Sequence, residues 1–360
     1  MILDTLTTQN FRNLASAEVH FHPQANVLVG KNGQGKTNLL EAIYFLATTK
    51  SFRTPRVASL FRFDEKNIFS AGALTRAGIQ KALSVGFETG DAKRRVLLIN
   101  GERVPLPAYV NAMNVFAYSA SRLEIIRGAP EERRRFLDRG IASLHATYLE
   151  QLTRYMRVLK QRNALLHAIA ARESAASTLD AWDDEFTAAA NVVTTARAAY
   201  TGQLAALFQE ILARHDYHVR NVEIIYRPAI GDLARLRRAE IRARMSLAGP
   251  QRDTVDFLVD GRAAVDVLSG GEQKMIVLFL KFAKVELFRR RHEEAPLFLL
   301  DDVDAELDLD ILQQLLTKLP ASTQVFATSA KERFLQVLEA GPHRRLTLEN
   351  GRVTAARDFA

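Results

Sequence analysis

The segment Gly30-Lys31-Asn32-Gly33-Gln34-Gly35-Lys36-Thr37 constrains this chain more than any other stretch. It fits the pattern G-x-x-x-x-G-K-[ST], in which glycines let the backbone curl so that successive N–H groups face the oxygens of a polyphosphate. Ahead of it, Asn26-Val27-Leu28-Val29 reads as a short apolar strand. Behind it, a helix starting near Lys36 carries Leu39, Leu40, Ile43, Leu46 and Ala47 on one face. Strand, glycine loop and helix in that order put the positive end of a helix behind the loop. In such a loop Lys36 reaches the β- and γ-phosphates and the Thr37 hydroxyl ligates Mg²⁺. ATP and Mg²⁺ are therefore the expected ligands.

Leu297-Phe298-Leu299-Leu300-Asp301-Asp302 reads as a buried strand ending in two carboxylates, the Walker B pattern. Asp301 is expected to hold Mg²⁺, usually through water, and Asp302 to position or deprotonate an attacking water. Upstream, Leu268-Ser269-Gly270-Gly271-Glu272-Gln273 has the form of the signature motif of ABC and SMC ATPases. Ser269 and the N–H groups of Gly270 and Gly271, at a helix start, can bind a γ-phosphate. In that superfamily the nucleotide so contacted belongs to a second subunit. Ala305-Glu306-Leu307-Asp308 resembles the D-loop, with Asp308 a further contact in trans, and Thr328-Ser329 stand where ABC transporters carry a switch histidine. The set implies two copies closing around two nucleotides and parting on hydrolysis. With Asp302 in place of a longer glutamate, turnover should be slow, as in a weak ATPase used as a timed switch.

The chain has 360 residues, 48% hydrophobic and 25% charged, as in an ordinary globular protein. It contains no cysteine, which excludes disulfides and thiolate metal sites and favours a reducing compartment. Met1-Ile2-Leu3-Asp4 lacks a signal-peptide pattern, and the longest apolar run, residues 275–280, is too short to cross a bilayer. A cytoplasmic protein with no membrane partner is expected. A net charge of +8 favours a polyanionic partner, nucleic acid first and an anionic membrane surface second.

Strands alternating with helices at both ends of the chain imply an α/β fold with a largely parallel sheet. The middle differs. Tyr148, Leu152, Tyr155, Leu159, Leu166 and Ile169 keep a heptad spacing with only Arg162 out of pattern. After a polar break at residues 174–178, Trp182, Phe186, Ala189, Val193, Ala196, Tyr200 and Leu207 repeat it. Two such segments make an antiparallel helical hairpin, expected to project as an arm of roughly 40 Å in preference to lying inside a compact domain. The reading divides the chain into an N-terminal part of the ATPase head (1–130), an inserted helical lobe (131–245) and the rest of the head (246–360).

At this point nearly the whole chain resembles the RecF family of recombination mediators. The resemblance rests on Asn10-Phe11-Arg12-Asn13, residues 30–41, Lys50-Ser51-Phe52-Arg53, the block 128–138 (GAPEERRRFLD), residues 155–166, Trp182-Asp183, Gly249-Pro250-Gln251-Arg252-Asp253, and Leu300-Asp301-Asp302-Val303 with Glu306-Leu307-Asp308. It implies a P-loop ABC/SMC-like ATPase head with an inserted helical lobe and an ATP-dependent homodimer. It also implies sequence-independent binding to duplex DNA beside single-stranded gaps. The partners it implies are mediators of the RecO and RecR type, which help load recombinase during repair and replication. Three places depart from the family pattern: Ser269 to Gln273, Ala120-Ser121-Arg122, and Gln251 with Thr254 in place of a histidine and a second aspartate.

Candidate DNA contacts are spread over Arg235, Arg238 and Arg242 with Arg237 and Arg244, over Arg289-Arg290-Arg291, and over Arg154, Arg157 and Lys160. Arg133 to Arg135 adjoin Glu131 and Glu132 and are expected to pair locally. No helix-turn-helix, zinc-finger or stacked-aromatic motif is visible, which argues against base-specific readout. The competing class is the nucleotide-binding subunit of an ABC-type ATPase that does not act on DNA, encouraged by Ser269-Gly270-Gly271. The long insertion and the missing switch histidine oppose it.

Overall fold

The computed structural model describes residues 1–16, 18–88, 94–119, 123–215, 217–302, 309–320, 322–329 and 341–360. They form two compact units: a head made of Met1–Leu123 with Gly270–Ala360, and a lobe made of Glu124–Ser269.

The head begins with short strands β1 (Ile2–Leu3), β2 (Thr5–Gln9) and β3 (Glu18–His20), then β4 (Ala25–Val29) and helix α1 (Lys36–Thr48). Strands β5 (Asn67–Arg76), β6 (Ile79–Glu88), β7 (Arg94–Ile99) and β8 (Glu102–Arg103) follow, then α2 (Leu106–Ala112) and β9 (Val115–Ser119). An antiparallel sheet runs β3-β2-β5-β6-β7-β8, with β1 also on β5. Ten of the thirteen residues of α1 are buried, so it behaves as a core helix and not as an amphipathic surface one. Its Leu39, Leu40, Ile43 and Phe45 share a core with Leu6, Leu74 and Leu83 of the antiparallel sheet and with Leu297 and Phe326 further along the chain. Truncating a ring such as Phe45 would cost about 3–5 kcal/mol.

The lobe contains α3 (Glu124–Arg127), α4 (Pro130–Leu144), α5 (Tyr148–Ala170) and α6 (Leu179–Arg214). These are followed by β10 (Val222–Arg227), α7 (Leu233–Ala243), β11 (Thr254–Val259), β12 (Arg262–Ala263) and α8 (Ala264–Val267). The heptad pair is α5 and α6, joined by Tyr155, Val158 and Leu159 against Phe186, Ala189, Ala190 and Val193. It does not stand free as the expected arm, because residues along α6 from Leu179 to Leu212 are buried and α7 packs beside α5.

The reason lies in two buried arginines. Arg162, the residue out of heptad pattern, is fully buried and bonds Asp183 at 2.9 Å, Ser246 at 2.7 Å and Glu240 of α7 at 2.6 Å. Arg197 of α6 bonds Asp138 of α4 and Asp253, both at 2.9 Å. Buried charges persist only when paired in this way, so each arginine fixes a neighbouring element against the hairpin. Asp253 also accepts from the Tyr226 phenol and from the Ala229 N–H, while Gln251 bonds the Tyr155 phenol, which seats residues 249–253 on the helices. The lobe is longer at both ends than the expected 131–245. At one end β11 pairs with β10 along its whole length, and at the other Arg133 donates to the carbonyls of Ile125 and Ile126 in α3.

The chain returns to the head with α9 (Gly270–His292), β13 (Leu297–Asp301), α10 (Leu309–Thr317), β14 (Val325–Thr328), β15 (His343–Glu349) and β16 (Arg352–Phe359). The second sheet runs β16-β15-β4-β14-β13-β9 and is parallel except for the β15–β16 hairpin. The expected parallel sheet is therefore present, beside an antiparallel one. Among the described residues no helix is long and apolar enough to cross a membrane.

Candidate nucleotide site

In a parallel sheet the carboxyl ends of the strands share one edge, where ligands bind. Here β14 lies between β4 and β13, and β9 lies beyond β13, so four strand ends converge. They carry Gly30, Thr328, Asp301 and Ser119. Thr37, in the first turn of α1, donates its hydroxyl to Asp301 Oδ1 at 2.7 Å. Thr328 donates to the same oxygen at 3.0 Å, and Ser119 to Oδ2 at 3.3 Å. Asp301 is buried, and burial raises its carboxyl pKa. The hydroxyls of Thr37, Thr328 and Ser119 and the charge of Arg53 act in the opposite direction. A carboxylate held this way, beside a hydroxyl, suits a divalent cation whose charge would offset the desolvation.

The loop between β4 and α1 has the backbone its glycines allow: Gly30, Gly33 and Gly35 have φ of 143°, 81° and 107°. A Cβ on Gly30 would stand 2.5 Å from the Leu348 carbonyl oxygen, whereas one on Gly33 would meet nothing within 4 Å. Gly33 therefore faces open space, as a phosphate cradle requires. Lys36 Nζ is turned onto the carbonyls of Gly30 (2.6 Å) and Lys31 (3.1 Å), which hold the ammonium across the loop. Lys31, Asn32 and Gly33 are exposed. These residues fit a Mg²⁺–triphosphate: loop N–H groups and Lys36 for phosphate oxygens, Thr37 and Asp301 for the metal.

A second layer braces the loop. Asn13 donates to the Gly33 carbonyl at 3.4 Å and accepts from Asn38 at 2.7 Å, and Asn38 accepts from Arg53 at 2.9 Å. Glu41, fully buried in α1, takes two hydrogen bonds from Arg12 at 2.9 and 3.1 Å and one from Ser51. The turn of the β15–β16 hairpin, Asn350-Gly351, is bonded to the loop: the Asn350 N–H donates to the Gln34 side-chain oxygen and the Gly351 N–H to the Gln34 carbonyl at 2.9 Å. Arg53, Glu41 and Ser119 were missed as site residues in the sequence. Arg53 and Glu41 sit inside family-like blocks, while Ser119 is marked only by its place at the end of an apolar strand.

Asp302 leaves β13 with φ of 52°, which turns its exposed side chain out of the strand, and its N–H donates to Thr328 Oγ1 at 2.9 Å. Thr328 thus links both carboxylate positions. Ser269 is exposed immediately before the 23-residue helix α9, with Gly270 and Gly271 in its first turn. Asp308 with the rest of the D-loop, Val303, and Ala120-Ser121-Arg122 lie outside the described residues.

The model of the RecF/RecN/SMC N terminal domain matches residues 2–351. The RecF protein of Symbiobacterium thermophilum is 36% identical over 373 residues, covering 98% of both chains. That of Lactobacillus acidophilus is 34% identical over 347 residues, covering 91% of this chain and 92% of its own. The chain belongs to the RecF family. Among solved structures, the recombination mediator RecF bound to ATP superposes on this RecF-family fold with a TM-score of 0.87 at 25% identity, covering 100% of this chain and 98% of that one. An SMC head bound to the winged-helix domain of ScpA shares the fold, with a TM-score of 0.56 at 14% identity.

Two of the candidate DNA clusters are partly paired with acids. Arg237 bonds Asp180 and Asp183, Arg235 pairs with Asp232, and Arg289 and Arg290 both pair with Glu286. Arg154 meets Glu185 at 3.4 Å. Of the triplet expected to pair locally, Arg135 pairs with Glu131 and Glu132, whereas Arg133 and Arg134 donate to backbone carbonyls of Ile125, Ile126, Val255 and Asp253.

Proposed function

We propose that this chain binds and slowly hydrolyses ATP, and that nucleotide-driven pairing of two copies controls its grip on DNA during repair and replication. The observation that carries the reading is the Thr37–Asp301 contact at 2.7 Å beneath a glycine loop braced from both ends of the chain. The two residue types that share Mg²⁺ in P-loop ATPases meet there although 264 positions apart. The names of the relatives, DNA replication and repair protein RecF, support DNA as the target.

Lys36 and the loop N–H groups would hold the phosphates, Thr37 and Asp301 the Mg²⁺, and Asp302 would orient the attacking water. Bound Mg²⁺ would neutralise charge on the β- and γ-phosphates. Ser269, Gly270 and Gly271, with Asp308, would meet the nucleotide on a second copy, so that closure requires ATP. At gapped duplex such a closed pair would act with mediators of the RecO and RecR type in loading recombinase.

The test is binding of duplex, single-stranded and gapped DNA with ATP, ADP or no nucleotide, comparing the intact chain with Lys36→Ala and Ser269→Arg. Tight binding of duplex-containing DNA only with ATP, abolished by both substitutions, is the expected result. Binding that is absent, or indifferent to nucleotide and to both changes, would favour an ABC-type ATPase that does not act on DNA.

A further inference from the structure

The segment between α1 and β5 contains Lys50, Arg53, Arg56, Arg62 and Lys66 with only two acids in its sequence, Asp64 and Glu65. This loop also contains Phe63, which is 90% exposed, while the next most exposed phenylalanines among the described residues, Phe69 and Phe359, are at 38%. An exposed apolar residue alone means little. What sets Phe63 apart is how firmly it is held outward. The Arg62 N–H donates to the Asn10 carbonyl at 2.8 Å, and the Glu65 N–H closes a turn onto the Arg62 carbonyl at 3.1 Å. Phe63 and Asp64 are the central pair of that turn, and Asp64 takes the left-handed φ of 62° that the turn demands of its third position.

Both stems are pinned. On one side Phe61 bridges to Phe11 and the Arg12 N–H reaches the Leu60 carbonyl at 2.8 Å. On the other the Asn10 amide bonds Glu65 at 3.0 Å and Asn67 at 2.7 Å. Glu65 is thereby engaged, and the exposed side chains of Arg56 and Arg62 have no acidic partner among the described residues.

We propose that Phe63 is a stacking platform for an unpaired base at a single-strand–duplex boundary, with Arg56 and Arg62 taking the neighbouring phosphates. This rests on the DNA-binding reading above and gives it a place. A ring beside guanidinium groups matches a polyanion whose bases offer flat faces, and such stacking tolerates any sequence, in keeping with the absence of a base-reading motif. An intact duplex hides those faces. Phe63 therefore adds affinity only where the stack is interrupted, which turns general phosphate binding into a preference for gaps.

The test uses the full chain with ATP, blunt duplex, and gapped duplex carrying 2-aminopurine at the first unpaired position. The intact protein should quench the probe and prefer gapped over blunt DNA. Phe63→Ala should keep blunt-duplex affinity within about twofold while losing the quench and about tenfold in the preference, and Phe63→Tyr should restore both. Arg56→Ala with Arg62→Ala should weaken both DNAs and flatten the salt dependence. An unaltered quench and preference in Phe63→Ala overturns the assignment, as does a Phe63→Ala defect confined to phosphatidylserine vesicles. If the intact protein binds no DNA in any nucleotide state, the DNA reading fails first and this site falls with it.

Discussion

Replacing Arg162 by Met tests whether buried ion pairs, and not the heptad seam, hold the lobe together. Methionine approximates the arginine stem, so the change removes charge more than volume. Of the three partners, Asp183 keeps Arg237 at 2.8 Å and Ser246 keeps Asn163 at 2.8 Å. Glu240 is fully buried and would retain only the Leu247 N–H at 2.7 Å, so it carries the loss. Stranding one member of a buried pair costs about 3–5 kcal/mol, with a further ~1 kcal/mol for the Arg162 guanidinium that lies 5.1 Å from the Phe186 ring centre. With a urea slope of about 2 kcal/mol per molar, the midpoint should fall by roughly 2 M. The chain has a single tryptophan, Trp182, packed against the α5–α6 core, so its fluorescence follows the lobe alone. Adding Glu240→Leu removes the stranded charge and leaves one unpaired N–H, a deficit of about 1–2 kcal/mol, so the double variant should recover more than half of the loss. A single-variant shift under about 0.5 M, or a double variant no more stable than the single, would refute the argument.

Asp301→Asn should leave the nucleotide-free melting temperature unchanged or raise it by up to about 3 °C. Because the folded carboxyl pKa lies above the unfolded one, ionised Asp301 costs stability above the raised value, and that cost fades as pH falls toward the ordinary aspartate value. The same variant should lose the rise in melting temperature that Mg²⁺ and ATP give the intact chain; retention of that rise would exclude Asp301 from the metal site. Glu41→Ala should cost about 3–5 kcal/mol by thermal melting, since it strips Arg12 of a fully buried partner. Gly351→Ala should weaken ATP at least about tenfold by titration with circular dichroism unchanged, because its Cβ would fall 1.9 Å from the Asn13 carbonyl oxygen beside the loop. In filter binding, Arg290→Ala should alter DNA affinity less than Arg56→Ala, since Arg290 already shares Glu286 with Arg289.

The nucleotide loop and the β13 carboxylates were readable because their chemistry is local: glycines at fixed spacing, and an apolar run that can only be a buried strand. The lobe was less so. Arg162 looks like a defect in a heptad because its partner Glu240 lies 78 positions away, and nothing local signals the pair. The lobe boundary was misplaced for a similar reason, since β11 reads like a head strand until its ladder with β10 is known. Phe63 is equally silent, because one phenylalanine in Leu60-Phe61-Arg62-Phe63 packs toward Phe11 and the other faces water, and only the turn decides which.

Among the described residues, strand β4, which launches the nucleotide loop, pairs only with β14 and β15, and the turn at Gly351 completes the loop's support. These partners follow β4 far downstream in the chain. At ribosomal rates of 5–20 residues per second, Gln34 waits roughly 15–60 s for Gly351 to be synthesised. Until β14 and β15 are made, β4 is an apolar strand with both edges unpaired, the condition in which nascent chains are most prone to associate with one another. Support of the nucleotide loop thus depends on segments made long after the loop itself.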